Sequence, residues 1–201
     1  MFQSKLKEPA LSQEMINIIE KSHRDGNGMQ YDDIDRYKYL IMKMLTSNND
    51  ILKTLHNEEL EKKIIDWENP NGDIYRNENI FDFLKIPDTQ SKVKNFICFE
   101  VNDIEPMRYN ENLIIKNIIF RTISHDEDYT TDWGISRQDL LAAIIKSGFD
   151  WTNIFGSQLI KINDKGKIAE NGYYYREFVY EARVPNNLVN KAQNGGVSYR
   201  K

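Results

Sequence analysis

The residues able to carry out acid–base or metal chemistry are concentrated in one short segment. His125, Asp126, Glu127 and Asp128 are consecutive, and Asp132 follows within the same acidic stretch. An imidazole beside several carboxylates can hold a divalent metal that activates water for phosphoester hydrolysis. The same composition is also typical of a solvated loop that joins a strand to a helix. The segment therefore predicts one of two structures, a catalytic metal site or an acidic loop.

The metal hypothesis assigns His125, Asp126 and Asp128 to a metal-dependent phosphohydrolase or nuclease. The adjacent His-Asp pair is similar to the pair of helical metal-dependent phosphohydrolases, which need further His and Asp ligands on other helices. The remaining histidines, His23 and His56, lie in segments without such a pattern. The sequence therefore favours the solvated loop, and we expect no bound metal and no other cofactor.

Two other kinds of chemistry find little support in the chain. Cys98 lies inside an apolar strand, where a buried and inert thiol is expected. Neither a nucleophile elbow nor a glycine-rich phosphate loop occurs in the sequence. The aromatic run from Tyr173 to Arg176 is a candidate platform for stacking on single-stranded nucleic acid. The net charge of -4 argues against that binding, because nucleic-acid-binding domains normally carry a basic excess.

The composition is that of a globular chain. With 201 residues, 40% of them hydrophobic, the chain is long enough to form one domain with a buried core. No apolar run approaches the roughly 20 residues that span a bilayer, so no membrane contact is expected. The first residues lack the continuous apolar stretch of a secretory signal peptide, so secretion is not expected. A single cysteine excludes an intrachain disulfide and fits a reducing, cytosolic setting.

The chain divides into three parts by composition and periodicity. Residues 1–30 predict a helical arm, because a turn rich in glycine and asparagine follows apolar residues at helical spacing. Residues 31–190 predict an α+β domain. Residues 191–201, rich in asparagine and glycine, predict a flexible tail.

The first half of the domain is predicted to be helical. One helix is expected to begin at Asp32 or Asp33 and to end before the polar break at 46–49. Asn48 or Asn49 is expected to cap a short helix that follows. A further helix is predicted over 58–67, and an extended loop over 72–95.

The second half changes to strand chemistry. Short runs of aromatic and β-branched residues predict strands, and a capped amphipathic run beginning at Ser136 predicts a helix. The predicted strands cover 96–101, 113–124, 157–163 and 173–184, with turns over 103–112 and 163–167 and the end of the helix at Gly148. The order is β-β-α-β-β. We therefore expect an α+β fold, with a mixed or antiparallel sheet and a packed helix added to the N-terminal helices. The second strand should be central and covered on both faces, because its apolar residues show little alternation.

A family resemblance rests on this part of the chain. The segments ICFEV at 97–101, IIKNIIFRTISHDED at 114–128 and WGISRQDLLAAIIKSGFDW at 133–151 form a strand pair that feeds an amphipathic helix. Together with the final two strands and the helical segment at 36–57, they resemble the tail terminator and head–tail joining proteins of phages. The N-terminal arm and the loop over 69–95 depart from the smaller terminators, so a head-closure or stopper protein of the neck stays open as an alternative.

The resemblance implies a structural virion protein that performs no covalent chemistry. Such a protein forms a homo-oligomer, a hexameric ring at the head-proximal end of the tail tube. It would contact the tail tube protein on one side and the head connector on the other. It would be assembled in the host cytoplasm and reside in the tail or neck of the virion. DNA would pass through the lumen without specific binding, since an acidic wall repels phosphates.

In a ring of this kind we expect the acidic segment and the large aromatic residues near it to lie at interfaces, because rigid aromatic side chains anchor protein contacts. The interface residues predicted from the sequence are His125, Asp126, Glu127, Asp128, Asp132, Trp133, Arg137 and Trp151.

Overall fold

The computed structural model confirms an α+β fold in which helices cover one face of a five-stranded mixed sheet. It describes residues 33–84, 94–107, 109–150, 152–153, 155–168, 172–185, 189–191 and 197–199, and in addition residues 12, 13 and 17. Apart from those three residues, the predicted arm over 1–30 lies outside the described residues. The predicted interface residue Trp151 lies outside them as well.

The helices begin where the sequence predicts, but one of them is shorter. Helix α1 spans Asp33–Thr46, α2 Asn49–Thr54, α3 Glu58–Glu61 and α4 Arg137–Phe149. The side chain of Asn48 caps α2 by accepting hydrogen bonds from two backbone amides, as predicted. Helix α3 ends well before residue 67. Nearby, the Asp66 carboxylate accepts the Glu68 amide at 2.8 Å, a local bond that competes with helix. No helix in the described part of the chain is long and apolar enough to cross a membrane.

The main sheet has the strand order β1-β2-β3-β5-β4. These strands span Ile80–Phe81, Asn95–Met107, Asn110–His125, Ile160–Ile168 for β4 and Tyr173–Pro185 for β5. Strand β1 runs parallel to β2 and all other pairs are antiparallel, so the sheet is mixed. A separate two-stranded sheet pairs β6, Val189–Lys191, with β7, Val197–Tyr199, near the end of the chain where the sequence predicts a flexible tail.

Three stretches predicted as loop or turn are wholly or partly strand. Strands β2 and β3 continue through the predicted turn at 103–112 and close at the pair Met107–Asn110, with register shifts that accommodate Pro106. The predicted turn at 163–167 lies inside β4, because those residues pair with β5. The predicted loop at 72–95 contains a 3-10 helix, Gly72–Tyr75, and the short strand β1. Long-range pairing overrides local turn chemistry in the first two cases.

The core lies between the helices and one face of the sheet. Strand β3 is central, as predicted, and its Phe120 ring lies 5.2 Å from the Phe178 ring of β5 and 5.1 Å from the Phe149 ring of α4. The other face of β3 is covered only in part, because Ile115 and Ile119 on that face are half-buried. A second, smaller cluster covers one end of that face, and it includes Phe81, Phe96, Cys98, Ile123 and Tyr173. The thiol of Cys98 is buried, as expected.

The 3-10 helix packs very closely on the end of α1. A Cβ atom added to Gly72 would lie 1.8 Å from the Thr46 carbonyl oxygen. Only a residue without a side chain allows the two backbones to approach this far.

Candidate functional site

The carboxylate of Asp128 is the centre of a hydrogen-bonded hub at one corner of the sheet. It lies in the 3-10 turn that follows β3, at the end of the acidic segment. Its Oδ2 accepts from the Asn95 side-chain amide at 2.7 Å and lies 2.9 Å from Nδ1 of His56. Its Oδ1 accepts from Nη2 of Arg137 at 2.9 Å. The Asp128 side chain therefore joins its own segment to three other segments of the chain.

Arg137 completes this hub from the first turn of α4. Its Nε donates to the backbone oxygen of Asp128 at 3.1 Å, and its Nη1 donates to the Thr54 carbonyl at 3.2 Å. A cation is favourable there because Thr54 ends α2, where carbonyl groups are left without helical partners. The side chain is only 11% exposed. Arg137 therefore bonds within its own subunit.

The electrostatics of the hub favour the charged form of Asp128. Burial by itself would raise the pKa of this carboxyl. Hydrogen bonds from His56 and Asn95, together with the positive charge of Arg137, outweigh burial and hold the pKa below its usual value. The carboxylate is thus ionised at neutral pH and each of its oxygens is occupied.

His56 and Asn95 are hub residues that the sequence does not predict. His56 follows α2 and has a positive φ of 50°, a left-handed conformation that is uncommon for a residue with a side chain. Asn95 is buried at the start of β2, and its amide donates to Leu55 as well as to Asp128. The position of His56 directly after a helix is the one local feature of the sequence that could have pointed to it as a hub residue. No local feature of the sequence points to Asn95.

The other members of the acidic segment point elsewhere. Nδ1 of His125 lies 2.7 Å from Oδ1 of Asp126 and 3.3 Å from the Glu127 amide nitrogen. One nitrogen cannot serve both: it donates to Asp126 when protonated and accepts from the amide when it is not. Glu127 pairs with Lys94 at 2.5 Å on the surface. Within the described ranges, no group of three or more His, Cys, Asp or Glu side chains is placed to hold a metal ion.

A cavity of about 540 Å³ opens beside the hub. Acidic side chains outnumber basic ones in its wall, so it would accept a cationic or strongly polar group. The lining residues are His56, Asn57, Glu58, Glu59, Leu60, Lys63, Glu78, Asn79, Lys94, Glu127 and Asp128.

Asp132 and Trp133 lie on an exposed turn between the hub and α4. The Thr131 amide and hydroxyl both donate to the Ile135 carbonyl, at 3.0 and 2.8 Å, and the Gly134 amide donates back to Thr131. Gly134 has a φ of 73°, which this turn requires and glycine adopts without strain. The turn presents Trp133 to solvent.

The side chains of the aromatic run that is a candidate platform for nucleic-acid bases contact other residues of the same subunit. Tyr173 is buried, and the Tyr174 ring lies 4.9 Å from the Tyr129 ring. Arg176 donates two hydrogen bonds to Asp164 and one to Asp139, and these bonds raise its pKa above the usual value. Its charge is therefore neutralised by carboxylates of the same chain.

Comparison with known proteins assigns the chain to a family. Residues 48–182, from the beginning of α2 into β5, match the model of the family YomW. The chain belongs to the YomW family. This family is phage-derived, of the Bacillus SPbeta-like type, so the phage association expected from the resemblance is confirmed at that level. Neither a curated protein nor a solved structure matches the chain.

Proposed function

We propose that this YomW-family chain is a structural subunit of a phage or phage-like particle. In this proposal it acts as a tail terminator: copies form a ring, expected to be a hexamer, at the head-proximal end of the tail tube. The ring stops tube polymerisation and joins the tail to the head connector. Assembly takes place in the host cytoplasm, and the assembled ring stays in the virion.

The observation that carries the proposal is the set of large apolar side chains left in solvent on a phage-derived chain. Most of the apolar side chains of β2, β3 and α4 are buried or half-buried, which shows that the fold can enclose such groups. Several others are nevertheless exposed, among them Trp133 and Ile135 on one turn and Ile160 and Ile162 on one strand. Apolar side chains that stay exposed next to one another form patches, and such patches support contacts with other proteins, whereas single exposed apolar residues are ordinary. A subunit of a multi-protein particle needs such contacts.

The hydrogen bonds of the hub around Asp128 support a scaffold role. Asp128 is bonded to three side chains from other segments, and Arg137 bonds to backbone carbonyls as well. Groups used in this way hold α2, β2 and α4 in place and are poorly suited to exchange protons with a substrate. We therefore propose that the protein performs no covalent chemistry.

The native mass of the purified protein tests the ring. Light scattering should give a mass about six times the 23.7 kDa of one chain, and negative-stain electron microscopy should show annular particles. A monomer at every concentration, alone and with the tube protein, would contradict the proposal. So would manganese-dependent cleavage of a phosphate ester that is lost in Asp126→Ala, because the metal hypothesis predicts that result.

Loss of the protein from a phage that encodes it separates terminator from head-closure protein. Without a terminator, tube growth has no stop, so unattached tails of irregular length should accumulate. Without a head-closure protein, tails should keep their normal length while filled heads lose their DNA. Electron microscopy of the lysate distinguishes the two outcomes.

A further inference from the structure

Two exposed patches lie at different places on the subunit. The Trp133 patch consists of Asp132, Trp133 and Ile135 on the turn before α4. The β4 patch consists of Ile160, Ile162 and Lys165 on the last strand of the sheet. Each patch combines apolar side chains with one charged side chain.

The Trp133 patch is held rigidly in its exposed position. Trp133 is 77% exposed and Ile135 is 47% exposed. Besides the hydrogen bonds from Thr131, an isolated bridge joins Thr130 to Ser136 and closes the base of the turn. A large side chain presented by a preorganised turn loses little entropy when it is buried by a partner. Tryptophan in such a position is typical of an interface anchor.

The β4 patch lies on an open edge. Strand β4 pairs with β5 on one side and is the last strand of the described sheet, so its other side has no strand neighbour there. A register shift between Lys161 and Asn163 places Ile162 in a bulge. Ile160 and Ile162 are 42% and 52% exposed. This edge therefore offers backbone polar groups and apolar surface together.

The two patches carry opposite charges. The Trp133 patch carries the negative charge of Asp132, the β4 patch carries the positive charge of Lys165, and both side chains are exposed. Neither makes an ion pair with another residue of the described chain. An aspartate and a lysine brought together at the rim of an apolar contact attract one another and set its orientation. A lysine can also lie over the face of an indole ring.

The two patches lie on different faces of the sheet. Helix α4, which directly follows the Trp133 turn, packs through Phe149 on the face that carries Phe120 and Phe178. Ile160 and Lys165 pair with Glu181 and Glu177, which alternate with the core residues of β5 and therefore lie on the opposite face. A contact between them must therefore join two copies. It is heterologous, because different surfaces of the two copies meet, and repeated contacts of that kind generate rings when the rotation closes.

We propose that the Trp133 patch of each copy docks on the β4 patch of the next copy, and that this contact closes the ring. The inference rests on the proposed function, because it identifies the interface of that ring. Trp133 packs between Ile160 and Ile162, and Asp132 pairs with Lys165 at its rim.

Substitution of Trp133 tests the anchor. Trp133→Glu should weaken assembly at least about thirtyfold, since burial of an interface anchor is worth about 2 kcal/mol or more. Tyr109→Glu is the matched control: it places the same charge on another exposed aromatic residue, at the β2–β3 hairpin, and should leave assembly unchanged. Mass photometry over a dilution series measures the change, and circular dichroism checks that both variants are folded.

Charge reversal tests the pairing of the two patches. D132K and K165D should each weaken assembly, and the double variant D132K/K165D should restore it, because both charges are then exchanged at every contact of the ring. A ring that forms equally well in Trp133→Glu and in both single charge variants would overturn this interface and leave the ring itself standing. A wild-type protein that stays monomeric would overturn both. Loss of head-connector binding in Trp133→Glu with the ring intact would assign the patch to that partner and also overturn the inference.

Discussion

Replacement of Asp128 by asparagine should destabilise the fold, although the change is nearly isosteric. The carboxylate accepts charge-assisted hydrogen bonds, and the side chains of Asp128 and Arg137 are only 15% and 11% exposed. Asparagine keeps one neutral acceptor oxygen and turns the other position into an NH2 donor. If the oxygen faces Arg137, the NH2 group faces the Asn95 amide donor, and the buried guanidinium loses its counter-charge in either orientation. A hydrogen bond to a charged group contributes about 1.5–3 kcal/mol, and the loss of one partner of a buried pair costs more. We expect Asp128→Asn to lower the free energy of unfolding by about 2–4 kcal/mol.

The neighbouring residue provides the control for this experiment. Glu127 is also a paired carboxylate, but its ion pair with Lys94 lies on the surface, with side chains 64% and 42% exposed. Surface pairs of this kind contribute little to stability because water and salt screen them. Urea unfolding, followed by tryptophan fluorescence at one fixed protein concentration, should show a much smaller effect for Glu127→Gln. Fixing the concentration matters because assembly contributes to apparent stability.

The pH dependence gives an independent check on the same reasoning. The pKa of Asp128 is lower in the folded protein than in the unfolded chain, where an aspartate titrates at about 3.9. Its contribution is therefore fully present above that value and is lost as the pH falls through the lower, folded pKa. The difference in stability between wild type and Asp128→Asn should shrink over this acidic range. Equal losses for Asp128→Asn and Glu127→Gln, or a difference that does not change with pH, would refute the account of the hub.

Three further predictions follow from the local geometry. Gly72→Ala should cost about 1–3 kcal/mol of unfolding free energy, because the added Cβ meets the Thr46 carbonyl and the backbones must separate; urea unfolding measures it. His56→Ala should be less stable than His56→Gly by about 1 kcal/mol, because both lose the bond to Asp128 but only alanine is strained at a φ of 50°; the opposite order would contradict this. Burial and the charge of Glu61 raise the pKa of Tyr75 to about 12, so stability should fall as the pH rises from about 10, the value for an unfolded tyrosine. Tyr75→Phe should show a shallower fall in an alkaline unfolding series.

Local signals in the sequence predict those parts of the fold that depend on near neighbours. Asn48 caps α2, α4 spans Arg137–Phe149 directly after Ser136, and the aromatic strand β5 begins at Tyr173. One detail differs, because the Ser136 hydroxyl bonds to the Asp139 side chain and makes no bond to a backbone amide. Caps and periodic apolar faces arise within a few residues, so one segment is enough to predict them.

The hydrogen-bond partners of the acidic segment could not be predicted from its neighbours along the chain. His125, Asp126, Glu127 and Asp128 are adjacent in sequence, yet their side chains do not converge on one point. Asp128 instead meets His56, which is 72 residues away, and Asn95, which is 33 residues away. These partners are brought together by the packing of α2 and β2 against the end of β3, which no local pattern records.

The sequence by itself therefore determined the α+β class, the main helices and the position of the long aromatic strand. Tertiary structure alone decided that residues 163–167 join a strand and that the acidic segment ties segments of the chain together at one corner. The physical reason is the same in both cases. A strand ladder or a shared carboxylate gains its free energy from partners distant in sequence, and that gain exceeds the preference of the local residues for turn or loop.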